Sequence, residues 1–141
     1  MLVAPACGHA SGDTSTSATL ATRTLVIGGK DRLDVQIADT PDEREQGLMH
    51  VTTLPRDDGM AFVWTDSTTS SFWMKDTLIP LSIAFVGADG TIVSVDEMQP
   101  CTADPCPTYA SPIPYTMAIE ANAHWFADHG VGVGDRVSWR G

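Results

Sequence analysis

The sequence predicts a β-rich α+β fold: a compact barrel-like or strongly bent, mostly antiparallel sheet with two short helices. Three observations carry that reading. Residues 33–38, Leu-Asp-Val-Gln-Ile-Ala, alternate apolar and polar without error, the period of a strand with one wet face. Further short strand-like segments follow, separated by Gly, Pro and Asp turn residues. Helix signals, by contrast, are confined to two short stretches, which is the balance of an α+β domain rather than of alternating βα units.

Taken in order, residues 24–27 form a weaker strand, and Gly28-Gly29 is the turn into the strand at 33–38. Thr40 as N-cap, Pro41 at the first helical position, Asp42, and Glu43 three residues after the cap make a capping box with favourable dipole charges. That helix is expected to reach about Met49, with Leu48 and Met49 inward and Gly47 limiting its length. Leu54 to Gly59 is a turn, and residues 60–64 and 71–75 are strands. Residues 79–86 are apolar on both faces, as suits a central, covered strand. Ala88-Asp89-Gly90 signals a hairpin into a strand at 91–96. After a proline-rich loop come a strand at 115–120, a short helix at 123–128 capped by Asn122 and ended by Gly130, and a last strand at 135–139.

The 141 residues suffice for one domain, assigned to residues 23–141, and an ordered part of about 120 residues can bury roughly two thirds of its unfolded surface. Eighteen acidic against eight basic residues give a formal charge of -10, which repels phosphate backbones and anionic headgroups and favours a monomer. Nucleic acid is therefore not an expected partner, and no apolar run is long enough to span a bilayer. Residues 1–22 read as a signal remnant and flexible tether: Met1 to Ala6 puts a short apolar run and a small residue before Cys7, as at the end of an export signal with a lipid-acceptor cysteine, and residues 9–22 are rich in Ser, Thr, Ala and Gly. The expected location is outside the cytoplasm, periplasmic or lipid-anchored to the envelope. Cys101 and Cys106 flank four residues in a loop stiffened by three prolines. A disulfide there, worth about 2 kcal/mol for so small a ring, is favoured over half a zinc site or free thiols, and fits an oxidising compartment.

The most distinctive stretch is Ser71-Phe72-Trp73-Met74-Lys75-Asp76-Thr77-Leu78-Ile79-Pro80-Leu81, which sets one of only two lysines beside an aspartate in otherwise buried-strand sequence. Together with Glu43 to His50, Asp58 to Val63, Pro100-Cys101, Tyr109 to Pro112, Ala118-Ile119-Glu120 and Gly134-Asp135, this order resembles the bacterial and archaeal domain of unknown function 192 family, from about residue 33 onwards. The resemblance implies a compact β-rich single domain, often behind an export signal, and no established reaction. Members commonly carry Asn where this chain has Asp76, which weakens a claim that this carboxylate is essential. The second cysteine is not a general feature of the family, which fits a local staple.

Candidate site residues follow from residue type and strand period. Trp73 and Lys75 point to one face of their strand while Phe72 and Met74 point to the other. An ammonium beside an indole can bind a carboxylate or serve as nucleophile or base; it can equally pair with Asp57, Asp58 or Glu120 to close a barrel end. Asp58, next to Asp57 and before Gly59, can hold a metal or share a proton, or simply be turn chemistry. His50 can act as a general base or as a dipole partner at a helix C-terminus. Glu120 is expected to be partly buried and paired with Lys75 or Arg136. Among the aromatic residues, Trp73 and Tyr109 are the ones expected at a rim rather than in the core.

No nucleotide, serine-hydrolase or zinc-protease motif is present, so no cofactor and no metal are expected. The leading expectation is an exported module that binds a small molecule, glycan or envelope protein through Lys75, Trp73, Asp76, Asp58, His50, Tyr109 and Glu120. The alternatives are a small cell-envelope hydrolase or transferase using Lys75 with neighbouring carboxylates, and a structural or assembly role.

Overall fold

The computed structural model describes residues 19–140, so Cys7 and most of the expected tether lie outside the described residues. Nine strands and two helices follow in the order β1 (Thr22–Ile27), β2 (Asp31–Ala38), α1 (Pro41–Gln46), β3 (Asp58–Thr68), β4 (Phe72–Trp73), β5 (Leu81–Val86), β6 (Ile92–Met98), β7 (Thr108–Tyr109), β8 (Tyr115–Asn122), α2 (Trp125–Asp128) and β9 (Val137–Trp139). Seven of the strands form one sheet in the order β6-β5-β8-β3-β2-β1-β9, strongly curled into a half-barrel, and β4 and β7 make a separate two-stranded ribbon. Every pairing is antiparallel except β2 with β3, whose connection carries α1.

Curling brings the two edges of the sheet together at one end. Thr91 bridges Arg136, the Ile92 amide donates to the Asp135 carbonyl at 2.9 Å, and the Val137 amide donates to the Gly90 carbonyl at 2.8 Å. Strand alternation then sorts apolar side chains into two cores. One holds Leu25, Ile27, Leu33, Val35, Ile119, Trp125 and Phe126. The other, on the opposite face of the sheet, holds Met60, Phe62, Ile83, Phe85 and Ala118 beneath Leu48, Phe72 and Met74. Because both faces are covered, all six residues of β5 are buried as expected, although β5 stands second from the β6 edge of the sheet and not at its centre.

Helix α1 starts with the expected capping box: the Glu43 amide donates to Thr40 Oγ1 at 3.2 Å and the Thr40 amide donates to Glu43 Oε1 at 3.2 Å. It ends at Gln46, three residues earlier than the sequence suggested, because Gly47 turns the chain with φ 48°. Leu48 is buried all the same, reached from the turn rather than from the helix. A second expectation is corrected at α2, where His124 (φ 68°) precedes the helix and Asn122 does not cap it. Asn122 instead donates to the carbonyls of Leu54, Pro55 and Arg56 at 3.0, 3.1 and 3.4 Å. Three turn carbonyls outcompete a four-residue helix for one amide.

Candidate functional site

Alternation along β4 builds the Lys75 face. Phe72 and Met74 are buried in the second core, while Trp73 and Lys75 are half-buried on the opposite side. Lys75 Nζ lies 5.4 Å from the centre of the Trp73 ring, within cation–π range. The proline-rich loop braces both residues. Trp73 pairs with Thr108 and Phe72 with Tyr109 across the ribbon, and the Lys75 backbone bridges Cys101. Cys101 is joined to Cys106 by a disulfide. Tyr109 is half-buried at the side of this ribbon, and its hydroxyl accepts from the Gln99 amide at 3.4 Å.

Asp76, next to Lys75 in the chain, meets His50 through the backbone. Both are exposed, both adopt left-handed backbone (φ 55° and 66°), and the His50 amide donates to the Asp76 carbonyl at 2.8 Å. Asp76 is thus held for its backbone conformation, which Asn and Asp tolerate better than other non-glycine residues. Trp73, Lys75, Asp76 and His50 lie along or beside one ribbon, whereas Tyr109, opposite Phe72, packs against the second core and not on the Trp73 and Lys75 face. Asp58 and Glu120 belong to the large sheet.

Asp58 opens β3, where its amide donates to the Pro55 carbonyl at 3.0 Å. Glu120 stands between Met60 of β3 and Ile83 of β5 in the sheet register. It is wholly buried, and among the described residues neither of its carboxyl oxygens has a hydrogen-bond partner. Burial pushes its pKa up to about 8. The ion pair expected between Glu120 and Lys75 or Arg136 is absent among the described residues, and Lys75 forms none with Asp57 or Asp58 either. The physical reason is the register: Glu120 points into the second core from a central strand, whereas Arg136 sits exposed beside the sheet edge. The indole N–H of Trp73 is also buried without an acceptor.

One cluster escaped the sequence reading. Asp57, beside the candidate Asp58, accepts a hydrogen bond from Trp125 Nε1 at 3.0 Å and lies 3.8 Å from His129 Nε2. The His129 ring stacks on Trp125 at 3.9 Å. The spacing of Trp125 and His129, four residues apart with His129 just past the predicted helix at 123–128, was the available signal. Among the described residues no group of three or more His, Cys, Asp or Glu side chains is arranged to hold a metal ion, and no helix is long and apolar enough to cross a membrane.

The family model DUF192, Uncharacterized ACR, matches residues 23–139. The chain belongs to the DUF192 family. Two solved structures resemble this DUF192 domain. A proposed transcription regulator from Sinorhizobium meliloti 1021 is 29% identical with a TM-score of 0.81, covering 88% of this chain and 98% of its own. A protein of unknown function from Novosphingobium aromaticivorans DSM 12444 is 28% identical with a TM-score of 0.76, covering 91% of this chain and 100% of its own. No curated protein matches the chain.

Proposed function

We propose that this DUF192 domain is an exported ligand-binding module of the cell envelope, and that the Lys75 face takes a small molecule or sugar bearing a carboxylate. One observation carries the reading: the Lys75 ammonium is held over the Trp73 ring at 5.4 Å and, among the described residues, no carboxylate pairs with it. An unpaired cation on an aromatic platform offers a ligand charge neutralisation and a stacking surface together. The braced ribbon supports the reading further, because a site whose strand is fixed on both sides loses little freedom on binding. The hydrolase or transferase alternative needs Lys75 and a carboxylate within hydrogen-bond reach of a common point. The absence of such a pair favours binding. The Sinorhizobium protein suggests a nucleic-acid role, against which stands the charge of -10 on this chain.

Titration with D-glucuronate, using D-glucose as the uncharged control, tests the reading through tryptophan fluorescence. Glucuronate is expected to change the emission saturably, glucose is not, and Lys75→Gln is expected to abolish the change while shifting stability by less than about 1 kcal/mol. No response to glucuronate, or a Lys75→Gln variant that binds as the parent does, overturns it.

A further inference from the structure

A cavity of about 320 Å³ opens between the turn that precedes β3 and the junction of β8 with α2, lined by Leu54, Arg56, Asn122, Trp125, Asp128 and His129 among others. It shares no residue with the Lys75 face. Its walls are tied across the chain: Asn122 holds the carbonyls of residues 54–56, and Trp125 Nε1 holds Asp57. Such a cavity is set by the fold and at the lower end of the size of small-ligand pockets, roughly 300 Å³.

Its charges are the informative part. Arg56 and Asp128 line the same cavity, yet among the described residues neither forms an ion pair, with the other or with any other side chain. Opposite charges that face one space and stay apart match a ligand that is itself dipolar. His129 Nδ1 lies 2.7 Å from the Trp125 carbonyl, which only accepts, so Nδ1 carries a proton and in the neutral ring Nε2 is an acceptor. Nε2 is 3.8 Å from Asp57 Oδ1, too far for a hydrogen bond and suited to a donor placed between them.

We infer that this cavity binds a small zwitterion of the amino-acid class. Its carboxylate lies on Arg56, its ammonium is shared among Asp57, Asp128 and His129 Nε2, and its side chain rests against Leu54 and Trp125. Carboxylate oxygens and a neutral imidazole nitrogen all accept from a primary ammonium. A bidentate guanidinium suits the carboxylate.

The test follows the Trp125 indole N–H resonance while glycine, L-leucine, N-acetyl-L-leucine and L-leucinamide are added separately to the full chain. At least one free amino acid is expected to move it saturably, and each singly charged leucine derivative is expected to bind at least about tenfold more weakly than L-leucine, a difference of about 1.4 kcal/mol. Arg56→Gln is expected to weaken the zwitterion but not L-leucinamide, and Asp128→Asn the zwitterion but not N-acetyl-L-leucine. An indole resonance that neither glycine nor L-leucine moves, equal responses to zwitterion and derivatives, or variants that bind as the parent does would each overturn the assignment.

Discussion

Glu120 puts a carboxyl group where the sheet gives it no partner, and this fixes how the fold must respond to pH. With its pKa raised to about 8 by burial, the folded chain keeps a proton there that the unfolded chain releases near 4.5. Between those values the native state binds the extra proton, so stability falls as pH rises through the interval and levels off above about 8. The loss from pH 5 to 8 is on the order of 3 kcal/mol. Urea unfolding at both pH values should show it in the parent and not in Glu120→Gln, whose amide carries no charge to desolvate. The strand period made the Trp73 and Lys75 face legible in the sequence, since alternation needs only neighbouring residues. The isolation of Glu120 was not legible. It depends on Met60 and Ile83 standing beside it, each set by strand register across distant parts of the chain.

Among the elements, the loop from Gln99 to Tyr109 does more than connect strands. It pairs with β4 through Thr108 and Tyr109, touches the Lys75 backbone at Cys101, and is tied by the Cys101–Cys106 bond. Replacing both cysteines by serine is expected to cost about 2 kcal/mol by urea unfolding, from the chain entropy of a small ring. Intact-mass analysis of the parent should show two cysteines alkylated only after reduction. The pairing of these cysteines was readable from their spacing. The strand β7 was not, because two residues carry no period, and Thr108 and Tyr109 are extended where β4 lies beside them. Likewise α1 was readable from its cap, whereas Asn122 misled, because the carbonyls that claim it lie more than sixty residues earlier.

Across the whole molecule, the half-barrel depends on its two edge strands meeting. That contact passes through Gly90, at φ 85°, where an added Cβ would come within 3.1 Å of Arg136 Nη1. Gly90→Ala is therefore expected to destabilise by about 1–2 kcal/mol, from left-handed backbone strain and the displaced guanidinium. Amide exchange should accelerate first at Ile92 and Val137, whose N–H groups close the seam, before it does at the buried strands β5 and β8. The β-rich class and the strong bend were legible from short strands and turns; this seam was not, because no local pattern says which edges a curled sheet brings together.

The strand β1 hydrogen-bonds on one side to β2 and on the other to β9, with Leu25 opposite both Leu33 and Trp139. Its outer neighbour is thus β9, more than a hundred residues further along the chain. As the chain is made, that flank of β1 stays unpaired until residues 137–139 have appeared, so the wall cannot be completed before β9 is in place.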